Sequence, residues 1–244
     1  YGEENTDFES QPAIQIPGEQ PDWSPDSHWV VYRSGREGKQ GLWVSDRFDS
    51  VPRRITEDGT DSFPRWSPDG KWIAFQRESE GNVDIYTIPI EGGEAQRLTT
   101  ARGIDTQPSW APNGRQIAFT SSRSGSPQLY QMDADGSNVR RVSFGGYFHD
   151  EGTWAYDGVR IACTTRDEGT FQIATIDAVT TDRRVIPAPG NNESPCFSPE
   201  GSMIAFASDR TGRPQIYITD ANGVPHQLTS EGSNHSPTWV GQSQ

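Results

Sequence analysis

The sequence predicts an all-β fold, a β-propeller of four-stranded antiparallel blades, and three observations predict it. One motif line recurs every 42 to 44 residues, tight-turn signals cut each recurrence into short segments, and no segment keeps the apolar period of a helix. Composition agrees. Hydrophobic residues make up only 31%, while 25 Gly and 18 Pro imply many turns. Eight Trp, ten Phe and seven Tyr supply the apolar area that the few aliphatics cannot.

The recurring line is Pro-Asp-Trp-Ser-Pro-Asp at 21–26, Pro-Arg-Trp-Ser-Pro-Asp-Gly at 64–70 and Pro-Ser-Trp-Ala-Pro-Asn-Gly at 108–114. It returns as Gly-Thr-Trp-Ala-Tyr-Asp-Gly at 152–158 and Pro-Cys-Phe-Ser-Pro-Glu-Gly at 195–201, and starts again as Pro-Thr-Trp at 237–239. Five complete repeats therefore begin near 21, 64, 108, 152 and 195, with a partial sixth at 237. The third unit shows the elements in order. Gln107–Ala111 is a short strand, followed by a turn in which Pro112 fixes φ and Gly114 supplies positive φ. Gln116–Ser121 alternates around Ile117 and Phe119, Ser124–Ser126 breaks the chain, and Gln128–Met132 is the third strand. Asp135-Gly136 turns the chain into a fourth strand at Val139–Ser143. Four short strands per repeat of this length are the signature of a propeller blade.

These units resemble the repeat of the TolB-like propellers. The resemblance rests on Ile73-Ala74-Phe75, Ile117-Ala118-Phe119 and Ile204-Ala205-Phe206, on Ile216-Tyr217, and on Leu98-Thr99 and Leu228-Thr229. It runs over residues 21–240 and is specific for fold rather than for function. It implies a periplasmic or extracellular setting, with a lipid anchor upstream of this chain as one form of it, and a cell-envelope partner. It also implies a six-fold ring, favoured here, in which Pro237–Val240 and a strand around Ala13–Ile16 make a reduced sixth blade. Its open edges would be available for strand addition. A five-bladed ring is the alternative. Residues 1–12 read as a tether and 13–244 as one propeller domain.

A net charge of −13 and a pI near 4.7 exclude a basic nucleic-acid footprint and disfavour an anionic membrane surface. No stretch is long and apolar enough to span a bilayer. Cys163 and Cys196 are too few for a disulfide framework and read as small buried hydrophobes, Cys163 standing where other repeats have an aromatic.

Aligning the repeats stacks loop residues into rings at one end of the central channel. Asp61, Asp105, His149, Asn192 and Asn234 share one position, and Asp150, Glu193 and His235 share the next. The expected site is a polar, mostly acidic mouth, joined by Tyr147, Phe148 and Glu151 from the loop that departs most from its neighbours. Asp61, Asp105 and His149 could hold a divalent cation, calcium by the hardness of carboxylate oxygens. The plainer reading is that these short polar side chains satisfy backbone donors in loops. Arg36, Arg123 and Arg210 recur after the second strand and would either contact a partner or pair with the ring or the next blade.

No Gly-x-Ser-x-Gly elbow, P-loop, paired-Cys motif or His-Glu-x-x-His occurs. The expected function is therefore a non-catalytic scaffold that binds a protein or peptide at the acidic mouth. The competing expectation is a metal-dependent hydrolase or lyase on a small or saccharide substrate, with His149, Asp150 and His235 near the ion.

Overall fold

A computed structural model describes residues 18–46, 51–167, 169–220 and 224–239. The tether at 1–12, the strand around Ala13–Ile16 and Val240 lie outside the described residues. Blade 1 comprises β1 (Glu19–Trp23), β2 (Trp29–Ser34), β3 (Gly41–Asp46) and β4 (Arg53–Arg54). Blade 2 holds β5 (Ser62–Trp66), β6 (Trp72–Ser79), β7 (Asn82–Pro89) and β8 (Gln96–Arg97). Blade 3 holds β9 (Asp105–Trp110), β10 (Gln116–Ser121), β11 (Gln128–Asp133) and β12 (Arg140–Arg141). Blade 4 is built from β13 (Phe148–Trp154), β14 (Arg160–Arg166), β15 (Gln172–Asp177) and β16 (Arg183–Ile186). In blade 5 stand β17 (Asn192–Phe197), β18 (Met203–Ser208), β19 (Gln215–Asp220) and β20 (His226–Gln227). Each blade is an antiparallel sheet whose strands pair in chain order. No helix occurs among the described residues.

Each first strand packs on the first strand of the next blade, so β1, β5, β9, β13 and β17 line the axis. Strands β17 and β1 share no comparable interface. The expected sixth blade is not formed among the described residues: five blades stand, as in the alternative reading. Its first-strand segment is present among the described residues but carries no ladder, and a strand forms one only against a partner. Trp239 nevertheless seats against blade 5. Its Nε1 donates to Cys196 O at 3.3 Å, the contact that Trp66 Nε1 makes to Asp22 O at 3.2 Å between blades 2 and 1.

The Ile-Ala-Phe line is explained by the two-residue side-chain period of a strand. Ile73 and Phe75 pack with Val31, Leu42 and Val44 of blade 1, while Ala74 faces Ile117 and Phe119 of blade 3. Ala118 likewise meets Ile161 and Cys163, and Ala162 meets Ile204 and Phe206. Blades 2 to 4 thus show a large face backward and a small face forward, and the four apolar clusters are the four inter-blade interfaces. Trp66 and Phe197 are buried there, whereas Trp23, Trp110 and Trp154 are half-buried.

The hairpin between first and second strands is closed by its own Asp. Asp69 Oδ1 accepts from Ser67 Oγ at 2.6 Å and Lys71 N at 3.1 Å, with Gly70 at φ +70°. These hydrogen bonds lower the pKa of Asp69, which is a turn former.

Candidate functional site

The first strands do not run straight. Each ladder to the second strand shifts register near its middle. At each shift stands a non-glycine residue in the left-handed region: Gln20, Phe63, Gln107, Glu151 and Ser194, with φ between +50° and +56°. Ser236 repeats it at +48° in the unpaired segment. Each such residue costs on the order of 1 kcal/mol or more in backbone strain, so something must hold it. Hydrogen bonds from blade to blade do so. Gln20 Oε1 accepts from Phe63 N at 2.9 Å, Gln107 Oε1 from Glu151 N at 3.1 Å, and Glu151 Oε2 from Ser194 N at 2.7 Å. Phe63 cannot accept, and Gln76 takes over, receiving Gln107 N at 3.1 Å.

The bulge decides where the ring residues stand. Asp61, Asp105, His149 and Asn192 do share one place at the head of the first strand, but all four are fully buried. Asp61 accepts a two-pronged guanidinium from Arg77, at 2.6 Å from Nε and 2.9 Å from Nη2. Burial raises the pKa of the Asp61 carboxyl, and the Arg77 hydrogen bonds offset only part of that rise. Arg77 lies over the rings of Phe75 and Tyr86. Asp105 Oδ2 takes Arg123 Nη2 at 2.7 Å, and Arg123 lies over Phe119 and Tyr130. In blade 5 Arg210 Nη2 donates to Asn192 Oδ1 at 2.9 Å and stacks on Tyr217. Arg123 and Arg210 therefore pair with the ring within their own blades, not with the next blade, and Arg36 is exposed. Asn234 is half-buried and donates to Gln215 Oε1 at 3.1 Å.

In blade 4 no arginine bonds the ring residue: Arg183 reaches Thr165 Oγ1 as Arg123 reaches Ser121 and Arg210 reaches Ser208, but pairs with Asp167. His149 Nδ1 lies 3.1 Å from Gln128 Oε1, and its Nε2 is buried without a hydrogen-bonding partner among the described residues. Burial, reinforced by the positive charges of Arg183 and Arg141, lowers its pKa to about 4, so the ring is neutral at pH 7. Among the described residues no group of three or more His, Cys, Asp or Glu is placed to hold a metal ion. The carboxylates of Asp61 and Asp105 are each taken up by an arginine, and His149 is enclosed.

The neighbouring position stays nearer to water. Asp150 is half-buried, and Glu193 and His235 are exposed. Burial, with the Glu151 charge added, raises the pKa of Asp150; burial and then the Glu151 and Asp209 charges raise that of Glu193. Glu151 itself is committed to structure, receiving Thr164 Oγ1 at 2.7 Å and Ser194 Oγ at 3.0 Å besides Ser194 N. In the entry loop Tyr147 is 78% exposed, while Phe148 packs edge-on against Phe171. Ile104 and Phe144, in the loops entering blades 3 and 4, are exposed at the same end. Sequence reading missed the bulge residues and Arg77. The signal was present: Gln20, Phe63, Gln107, Glu151, Ser194 and Ser236 all directly precede the repeat's Pro or Gly.

Known proteins share this fold. A family model described as TolB beta propeller domain matches residues 20–243. The Tol-Pal system protein TolB of Bordetella pertussis is 49% identical over 41 residues, 17% of this chain and 9% of that protein. The crystal structure of TolB from Acinetobacter baumannii superposes with a TM-score of 0.81 at 30% identity, covering 89% of this chain and 56% of that one. The putative TolB of Agrobacterium tumefaciens gives 0.75 at 22% identity, covering 86% and 80%, a likeness of fold. The chain thus matches only about half of the Acinetobacter chain and a small part of the Bordetella protein.

Proposed function

Because the chain belongs to the TolB β-propeller domain family, we propose that it is a non-catalytic propeller of the cell envelope that docks a protein or peptide at its channel mouth. The setting is periplasmic or otherwise exported, in a system comparable to the Tol-Pal system for which the Bordetella relative is named. One observation carries the choice of surface. Asp150, Glu151 and Glu193 gather on the blade 4–5 side of the mouth, and among the described residues none of them forms a salt bridge, whereas Asp61 and Asp105 do. A cationic segment entering there would relieve Asp150 and Glu193, whose pKa values burial and then the Glu151 charge raise, and Tyr147 would supply the rigid aromatic contact typical of interfaces. The segment at 235–239, which carries no ladder and seats Trp239 against β17 of blade 5, offers the place for strand addition by such a partner.

A photo-crosslinker at position 147, irradiated in intact cell envelopes, tests this. The expected result is one dominant protein adduct that disappears when Asp150→Asn and Glu193→Gln are combined. No adduct, or one indifferent to both substitutions, overturns the channel-mouth reading.

A further inference from the structure

At the opposite end of the blades, where the Ser-Pro-Asp-Gly turns lie, each inter-blade groove repeats the same walls with different fillings. Between blades 4 and 5 the filling is Arg160 of the chain itself. Its Nε pairs with Asp157 Oδ2 at 2.6 Å, its Nη2 donates to Gly201 O at 2.9 Å, and its guanidinium lies 5.3 Å from the Phe197 ring centroid. Between blades 1 and 2, Arg53 reaches across to Ile90 O at 2.8 Å, and between blades 3 and 4, Arg140 donates to Ala178 O. Three of the four grooves thus hold a guanidinium bridging two blades.

The groove between blades 2 and 3 carries an arginine at neither position. Trp72, just before the Ile73 that pairs with Trp66, stands where Arg160 precedes the Ile161 that pairs with Trp154. Gln96, opposite Thr87, stands where Arg53 faces Val44 and Arg140 faces Gln131. The acceptors and the aromatic wall are retained. Asp69 corresponds to Asp157, Trp110 to Phe197, and Ala134 to Ile90 and Ala178 by their shared backbone bond to the preceding turn. Here the walls enclose a cavity of about 580 Å³, against about 340 Å³ for the groove between blades 1 and 2. Asp135 adds a second carboxylate at the rim, and Trp72, which also lines the groove, is 38% exposed.

We propose that the blade 2–3 groove binds an arginine side chain of a partner protein, on the end of the propeller away from the channel mouth. The occupant is argued from the chain's own fillings and from charge. A planar guanidinium satisfies a carboxylate, a carbonyl and an aromatic face together, which a compact ammonium does not. A chain of net charge −13 with carboxylates at this rim attracts a basic surface. The inference does not depend on the reading of the mouth.

The probe is Nα-acetyl-arginine N-methylamide, titrated into the protein while the indole N–H resonances of Trp72 and Trp110 are followed by NMR. Saturable shifts are expected with a dissociation constant on the order of 1–10 mM, as befits so small a ligand. The neutral citrulline analogue should give no saturation and the lysine analogue clearly weaker binding. Trp72→Arg, which copies the filling of the blade 4–5 groove, should abolish the Trp110 response. Gln96→Arg, which copies Arg53 and Arg140, should do the same by the other route and serves if Trp72→Arg does not fold. Arginine and citrulline shifting both indoles alike, no saturation with arginine, or unchanged binding in Gln96→Arg would overturn the proposal.

Discussion

The two sides of the channel mouth occupy the same repeat positions and solve the same burial problem in opposite ways. In blades 2 and 3 the ring residue is a buried aspartate neutralised by an arginine of its own blade, which in turn lies on two aromatic rings. In blade 4 it is a histidine kept neutral by burial, and the negative charge has moved one position along, to Asp150, and to Glu193 in blade 5. The first arrangement is closed electrostatically and belongs to the scaffold. The second leaves charge facing the opening. A polar ring in a propeller is therefore not one site, and the partner of each member has to be found before a role is assigned.

Three measurements sharpen or break this contrast. The largest effect is expected from Asp61→Ala, which leaves the largely buried Arg77 guanidinium only its longer contact to Asp58, at 3.6 Å. Removing one member of such a pair costs about 3 kcal/mol, readable in chemical denaturation. Asp61→Asn should cost much less, since Arg210 is satisfied by Asn192 at the same place. Equal, small losses in both variants would show that the ion pair is not what holds blade 2.

The blade 4 side should instead betray itself through pH. The unfolded chain takes up the His149 proton near 6.5, the folded chain only near 4. This contribution to stability is therefore complete above pH 6.5 and is lost as pH falls from 6.5 towards 4. It amounts to roughly 3 kcal/mol over that window. His149→Asn, which copies the Asn192 of blade 5, should flatten the decline in that window, and a curve parallel to the parent's would remove His149 as its source.

The smallest effect concerns Glu151. If it serves as a link between blades rather than as a binding carboxylate, Glu151→Gln should reproduce the arrangement at Gln107 and cost only about 1 kcal/mol, leaving crosslinking through position 147 intact. A loss of crosslinking with little change in stability would move Glu151 into the binding surface.

The blades were legible in the sequence because their determinants are local. Proline, glycine and aspartate set the hairpins, and the alternation in Ile-Ala-Phe needs only the strand period to assign its faces. The mouth was only half legible. Repeat alignment correctly brought Asp61, Asp105, His149 and Asn192 to one place, yet which way a side chain points depends on the bulge after it. An extra residue in the strand changes the alternation of faces, and nothing in the residue type at 63 or 107 announces a positive φ. Arg77 escaped for a related reason. It sits two residues after Phe75, whereas Arg123 and Arg210 sit four residues after Phe119 and Phe206, so alignment by position separated groups that share a task.

The links between bulges all point the same way along the chain. In each, a backbone N–H of the later blade reaches an acceptor that the earlier blade already carries, as Phe63 does to Gln20 and Ser194 to Glu151. Trp66 N on Asp22 and the indole of Trp239 on Cys196 obey the same direction. A nascent chain leaving the ribosome therefore completes each blade with its acceptors in place before the donors that need them are made. Synthesis from the N-terminus meets a template at every step, and a chain paused at Ser143 would already hold out Gln107 Oε1 to a strand not yet translated.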